Sequence, residues 1–498
     1  TRVNSSGLVE TVELLGSELI TDGDFALTGT QAESTTGTYW STGASWTIAN
    51  NIATYGGVGE PYLNNLNAVN IQVGQTFIFT FTLNSDAKLR FVNETGARFQ
   101  GTWVVYAQGT HTVYITSGIS ATLIGIQADT NNGSFGVSNV SVKESTKNNL
   151  ARVDYDGTAS SLLVEPERTN EVTYSSDFSN SYFQKVRSTI STDQIVSPDG
   201  TQNADKFIED SALGTKLLWT QDEVISIGDV ITWSVFAKKG EREWVVLRDT
   251  NAGNFSGYFD LENGVVGSTA SLDSSKIEDL GSGWYRCSIT YTSTTTTARG
   301  RLYLADANNG ESYQGNGTSG LYIWGAQLEV GSYPTSYIPT DGGTVTRVAD
   351  QYSKTGISNL INSEEGVLFV EMAALPQTGR ISLSDGTSTN RISFKFTPTN
   401  IDFQYRVSSS YSYRVDVDLD TSINHKIAMS FDNGSFVGYL DGNPIGSIIT
   451  GASLPANTLN SLQLNDGASA DYFFGKVKQL QVFKTALTDT ELATLTTI

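Results

Sequence analysis

Catalysis needs nucleophiles and proton carriers, and this sequence holds few of them. It contains two histidines, His111 and His425, and one cysteine, Cys287. A Ser-His-Asp triad, a histidine zinc site, a thiolate cluster or an intrachain disulfide therefore has almost no raw material. Carboxylates offer one remaining route. Asp416, Asp418 and Asp420 alternate along the chain, which puts them on one face of a strand. A retaining glycosidase needs two carboxyls about 5 Å apart with one kept protonated by its surroundings. No tryptophan lies near the three aspartates in sequence to shape a sugar subsite, so a solvated face or a weak cation site is the better reading. Cys287, which follows Trp284-Tyr285-Arg286, reads as a small buried hydrophobe. The chain is expected not to be an enzyme.

Binding chemistry is better represented. A Trp or Tyr ring stacks on the C–H face of a sugar, while Asn, Asp and Gln side chains bind its hydroxyls. The first 145 residues hold Tyr39, Trp40, Trp46, Tyr55, Tyr62 and Trp103 amid many Asn and Gln. Any one of these rings taken singly reads as core. Trp40, in a Thr/Ser/Gly-rich stretch, and Tyr62, between Pro61 and Leu63-Asn64-Asn65, look least like core. Trp40, Tyr62, Trp46 and Tyr55 are the candidate carbohydrate-binding residues. Trp233, Trp244, Trp284 and Trp324 sit in regular strand patterns and read as structural.

Charge narrows the partners. Lys plus Arg number 31 against 52 Asp plus Glu, a formal charge of −21. Such a surface repels phosphate backbones and anionic lipid, and no basic run exceeds Lys238-Lys239, so no nucleic-acid partner is expected. No segment approaches the ~18 apolar residues that cross a bilayer, and membrane insertion is not expected either. The sequence opens on Thr1 without a methionine or a signal-peptide pattern, as a processed chain or a piece of a longer one would.

The elements that must carry these residues are strands. Short runs rich in Val, Ile, Thr, Tyr and Phe alternate with polar residues between Gly/Asn/Asp/Ser turns. In Thr76–Thr82 the rings of Phe77, Phe79 and Phe81 share a face, and Tyr413, Val415, Val417 and Leu419 form another. Asn263-Gly264, Asn433-Gly434, Asp441-Gly442 and Asp466-Gly467 are hairpin turns. The clearest helix is the last segment, where Thr488 and Glu491 form a capping-box pattern before Leu492 and Leu495. Polar stretches at 144–149 and 340–344 mark boundaries, and a length of 498 residues suits about three domains.

The residues between these boundaries resemble known modules. Leu163-Val164-Glu165-Pro166-Glu167-Arg168-Thr169-Asn170, then Tyr174-Ser175, Asp177-Phe178-Ser179 and Gly283-Trp284-Tyr285-Arg286-Cys287, resemble a β-sandwich module common in bacteriophage tail and fibre proteins. Its most specific stamp is Leu321–Glu329 followed by Gly331–Thr340. The last block, with Tyr439-Leu440-Asp441-Gly442 and Phe474–Phe483, resembles the concanavalin-like, laminin-G-like sandwich. The block from about 14 to 144, opening with Glu18–Phe25 and closing with Val137–Glu144, resembles a jelly-roll carbohydrate-binding module. In the phage module a segment like Thr1–Glu10 usually runs almost directly into one like Ala151–Tyr155, so the intervening block reads as an insertion at a loop tip.

The resemblance implies an all-β fold of three tandem β-sandwich (jelly-roll/concanavalin-like) domains, the first inserted near the start of the second. The expected divisions are a leading strand 1–13 pairing with the second domain, then 14–145, 146–348 and 349–498. It also implies a virion-surface appendage, on tail or capsid, that binds bacterial surface polysaccharide alongside other virion proteins, by analogy as a homotrimer. A non-binding decoration protein and a polysaccharide depolymerase are the alternatives. Such sandwiches often hold calcium. Asp24 matches the acidic position near the opening strand, although Ser138 stands where the closing strand often carries an acid. Asp129-Thr130-Asn131-Asn132-Gly133 echoes a calcium loop without its full spacing and reads more simply as a turn. Asp24 and Asp129 are the candidate metal ligands.

Overall fold

The computed structural model describes residues 1–26, 39–42, 45–57, 62–99, 103–146, 150–251 and 254–498. They form two bodies, Glu13–Leu150 and Thr1–Val12 with Ala151–Ile498. Strands dominate throughout, arranged as antiparallel sheets, with one α-helix of eight residues, Asp489–Thr496, among the described residues. Its expected capping box is present: the Thr488 hydroxyl accepts from the Glu491 amide, and the Glu491 carboxylate accepts from the Thr488 amide. Thr488→Ala is expected to cost about 1 kcal/mol, read as a lowered unfolding midpoint.

In the body 13–150 two sheets face each other. One runs Val104–Tyr106, Ala87–Val92, Ile124–Ala128, Tyr62–Asn65, Trp40–Thr42. The other runs Gly109–Thr116, Thr76–Leu83, Phe135–Thr146, Ile52–Tyr55, Trp46–Ala49, with Leu14–Glu18 on Phe135–Thr146. The period of two sends Phe77, Phe79, Phe81 and Leu83 inward. It also leaves Thr76 and Thr82 outside, where their hydroxyls lie 2.9 Å from those of Thr116 and Thr110 across the ladder. Burying such a row of phenylalanines contributes roughly 1.5–3 kcal/mol each. The polar run expected to begin a linker at Glu144 is instead strand as far as Thr146. Lys147, Asn148 and Asn149 lie outside the described residues.

The second body contains two sandwiches. In the first, the sheet Ser188–Val196, Gln202–Glu209, Gly320–Val330, Val230–Lys238, Trp284–Thr292, Ser274–Gly281 packs on a sheet containing Leu213–Trp219, Arg301–Ala305, Trp244–Asp249 and Phe255–Asp260. In the second, Ser353–Lys354, Ser461–Gln463, Gly379–Ser384, Arg391–Thr397, Asn400–Val407 and Ser410–Asp418 face a seven-stranded sheet. That sheet draws strands from both sides of the expected division at 348. Its first two strands are the hairpin Arg152–Asp156 and Ala159–Val164, which continues onto Gly475–Phe483 through Leu162↔Val477 and Val164↔Gly475. The chain thus lends its 152–164 hairpin to the C-terminal sandwich before building the middle one. Residues 1–12 make their own ribbon, Arg2–Val3 with Val9–Glu10. It is held where the Val3 amide donates to Asp154 at 2.7 Å and the Val9 amide to the Pro198 carbonyl at 2.8 Å.

The motif residues of the middle block hold this body together. Asn170 is fully buried; its amide donates to the carbonyls of Ala326 and Ile338, and its oxygen accepts from the amides of Val172 and Leu328. Glu165, also buried, accepts from Arg152 at 2.6 Å, from Arg347 at 3.2 Å, and from the amide and hydroxyl of Ser336. Arg152 also pairs with Asp350. Burial alone would raise the Glu165 carboxyl, but Arg347, Arg152 and the Ser336 donors bring it down to about 2.

Candidate carbohydrate-binding face

Three of the four candidate carbohydrate-binding aromatics are core. Trp40 and Trp46 are 1% exposed and Tyr55 is wholly buried. In the strand Trp46–Ala49 the buried positions are Trp46 and Ile48, and Trp46 faces Tyr55 across the hairpin with ring centroids 5.3 Å apart. Phe135 closes the same cluster at 5.6 Å from each. Trp40 packs on Phe25 at 4.9 Å, and its indole N–H donates to the Asp22 carbonyl at 2.8 Å. A hydrogen-bonded indole between two sheets contributes to packing and offers no face to a ligand.

Tyr62 is the exception. In Tyr62–Asn65 the buried residues are Leu63 and Asn65, and Tyr62 is half-buried on the opposite side. The register then assembles a row that no local pattern announces. Tyr62 stands opposite Gln127, and Gln127 opposite Arg90. Because Leu89 pairs with Val104, Trp103 comes beside Arg90. The Arg90 Nε donates to the Gln127 oxygen, and its guanidinium lies 4.2 Å from the Trp103 ring centroid. The cation–π contact orients both groups. The neighbouring strand positions Leu89, Phe91 and Ile126 belong to the core, so the row lies on the other side of a packed sheet, with Tyr62, Arg90 and Trp103 half-buried and Gln127 only 6% exposed. The interior of this sheet thus holds the outer row in place.

Two glycines shape the floor. A Cβ at Gly96 would come within 2.8 Å of the Tyr62 hydroxyl, and one at Gly125 within 2.0 Å of the Asn64 side-chain oxygen. That oxygen is buried and has no hydrogen-bond partner among the described residues. It is an acceptor without its hydrogen bond beside the row. The face is locally basic although the chain is acidic. Burial first, and then the charge of Arg98, lower the Arg90 pKa below the ordinary arginine range. Lys88 is 6.0 Å from the Trp103 centroid.

The candidate metal ligands fall differently. Asp129 is buried and pairs with Lys88 at 2.8 Å. It also accepts from the Asn131 amide within its turn. Hydrogen bonds from Lys88 and Asn131 hold its carboxyl below the usual range. Asp24 is exposed. Neither belongs to a group of three or more His, Cys, Asp or Glu arranged to hold a metal among the described residues. The turn reading of Asp129 is the one the geometry follows. In the C-terminal sandwich Asp416 and Asp418 are exposed on one strand, opposite Asp402 and Asn400. Asp420 lies beyond it, accepting from the Ser422 amide and hydroxyl. Asp402 is buried, and burial raises its pKa, but Arg414 binds it at 3.1 Å and Asp416 at 3.5 Å. One guanidinium thus bridges the Asp402 and Asp416 carboxylates, while the buried Asp402 Oδ1 has no hydrogen-bond partner among the described residues.

Sequence reading had named Tyr62 and had counted Trp103 among the aromatics, but had missed Arg90 and Gln127. Their alternation with Leu89, Phe91 and Ile126 marks them as outward, but only the strand register joins them to Tyr62.

Comparison with known proteins follows the fold. Residues 367–493 match the Concanavalin A-like lectin/glucanases superfamily. No curated protein matches the chain. Among solved structures, the Ruminococcus gnavus IT-sialidase CBM40 bound to alpha2,3 sialyllactose is 16% identical over 29% of this chain and 98% of its own, with a TM-score of 0.25. Mouse laminin alpha1 chain domains LG4-5 are 11% identical over 56% of this chain and 89% of their own, at 0.19. The CBM22-1-CBM22-2 tandem of Paenibacillus barcinonensis Xyn10C is 11% identical over 64% and 98%, at 0.21. The chain is an all-β protein of β-sandwiches, the last of which matches the concanavalin A-like lectin/glucanase superfamily.

Proposed function

We propose that this protein is a non-enzymatic glycan-binding appendage, displayed on a virion surface as a homotrimer with other virion proteins, that engages bacterial surface polysaccharide. The observation that carries the glycan reading is the outward row Tyr62–Gln127–Arg90–Trp103. Two half-buried rings flank a guanidinium that the buried Gln127 orients, and rings and guanidinium are groups that stack on sugar C–H faces and bind sugar hydroxyls. The concanavalin-like match of residues 367–493 supports the same class. The virion placement rests on the resemblance of the middle block to phage fibre modules. The non-enzymatic reading is supported by the scarcity of nucleophiles and proton carriers in the sequence, with two histidines and one cysteine, and by Arg414 bridging Asp402 and Asp416. Arg90 and Arg98 give the face a positive field that suits an acidic polysaccharide, Lys88 being neutralised by Asp129.

The test is binding of the full chain to a bacterial glycan array and to whole bacteria. An aromatic platform contributes roughly 1.5–3 kcal/mol, so Tyr62→Ala is expected to weaken binding about 10–100-fold. Acidic glycans are expected to bind less tightly at 0.5 M than at 0.05 M salt, in the direction that screening dictates. Absence of binding to the array and to cells alike would refute the adhesive role and leave decoration. Release of reducing ends from a bound polysaccharide would refute the non-enzymatic reading.

A further inference from the structure

The middle sandwich carries a second aromatic cluster on the outer side of one sheet, where Trp219 and Trp244 are half-buried and Tyr303, between them, is 5% exposed. Its sheet sends Leu218, Leu302, Leu304, Val245, Leu247 and Phe259 into the main core. Strand alternation therefore puts Leu217, Trp219, Tyr303, Trp244, Val246 and Tyr258 on the other side, where they form a separate apolar cluster. Trp244, which reads as structural from its strand pattern, is half-buried there, whereas Trp233, Trp284 and Trp324 are 0–3% exposed.

The register orders this face. Trp219 stands opposite Arg301, Tyr303 opposite Val246, and Trp244 opposite Ala305. Trp219, Tyr303 and Trp244 thus lie on three adjacent strands, each displaced by two residues from the last, a diagonal with steps of about 7–8 Å. Charged groups lie among the rings. The Arg301 guanidinium lies 5.8 Å from the Trp219 centroid and that of Arg248 4.9 Å from Tyr303. Glu311 accepts from Arg248 at 3.0 Å and from the Tyr258 hydroxyl. Asp260 pairs with Trp244 across the strands. The Nε atoms of Arg248 and Arg301 are buried and have no partner among the described residues. Trp244 fits because position 267 is glycine: a Cβ there would come within 2.7 Å of its ring.

We infer that this face is a second glycan site, built for a linear and uncharged oligosaccharide. Another protein's apolar core would demand a continuous hydrophobic patch with charges at its rim, whereas here arginines and carboxylates lie among the rings. A sugar chain presents that alternation, with apolar C–H faces separated by hydroxyl edges. Two arginines balance two carboxylates, so a net charge on the ligand is not called for, in contrast to the basic row around Arg90. Trp219 and Trp244, the two half-buried rings, stand two strands apart with the buried Tyr303 between them, a separation of several sugar units rather than one. The inference rests on the general reading of the chain as a glycan binder, but on none of the residues around Tyr62.

The experiment is affinity electrophoresis of the full chain through gels containing hydroxyethylcellulose, xylan, laminarin or pullulan, with alginate as the acidic probe. Retardation is expected in at least one neutral gel and is expected to persist at 0.5 M salt. Trp219→Ala or Trp244→Ala should weaken it at least tenfold, and Trp244→Phe should recover part of it, which separates loss of a platform from loss of folding. Retardation in none of the neutral gels overturns the inference, as does retardation that both alanine variants retain. If Tyr62→Ala instead abolishes it, the second site falls while the reading of the Tyr62 face stands. Binding of alginate that depends on Tyr62 would likewise leave that reading intact when every neutral probe fails.

Discussion

Glu165→Ala is expected to destabilise the body formed by residues 1–12 and 151–498 by about 3–5 kcal/mol, the usual result of removing one partner from a buried ion pair. The side chains of Arg152 and Glu165 are each 6% exposed, and Arg347 depends on the same carboxylate. Without Glu165, Arg152 keeps Asp350 as its only carboxylate and Arg347 is left with the uncharged oxygens of Ser336 and Pro166, in a largely buried place. The loss is read from the urea midpoint of that body; a shift below about 1 kcal/mol would show that the network is dispensable. Acid gives an independent check. The folded carboxyl lies at about 2, below the ~4.3 of an unfolded glutamate. Its contribution is therefore complete above pH ~4.3 and is lost as the pH falls through 2, on the order of 3 kcal/mol. The wild type should lose this stability between those limits and the Glu165→Ala variant should not, so the gap between them closes in acid.

Trp40→Ala carries the second large effect, about 3–5 kcal/mol on the body 13–150, from lost burial and the cavity that remains. Phe25 would lose its ring partner, and the Asp22 carbonyl its indole donor. The midpoint of that body should fall, and glycan binding measured below the transition should be unchanged. An unaltered midpoint with abolished binding would return Trp40 to the surface role that its Ser/Thr-rich neighbourhood suggested.

The contrast between Trp40 and Tyr62 shows what a single sequence conveys. Strands were legible because burial has a period of two, as in Phe77, Phe79 and Phe81, and the final helix because its cap is encoded within four residues. Which side of a strand faces the other sheet can be read only where the alternation is long. Trp40 sits in a strand of three residues, Trp40–Thr42, too short to reveal its phase. Site composition was less legible still. Residues 62, 90, 103 and 127 meet only through pairings between strands far apart in sequence, and the same holds for Trp219, Tyr303 and Trp244. The hairpin 152–164 was assigned to its sequence neighbours for a related reason, since nothing local in it names Gly475–Phe483 as its partner.

That borrowed hairpin constrains how such a gene can be rearranged. A recombination event that carried 349–498 alone would deliver a sandwich whose strand Gly475–Phe483 has lost its neighbour. A bare sheet edge of that kind recruits other chains. A transfer that keeps this sheet whole must carry residues 152–483 as one piece. The block 13–150 enters and leaves the chain between residues 12 and 151, outside both the hairpin and the Glu165 network. Among related genes, exchange is expected at that block.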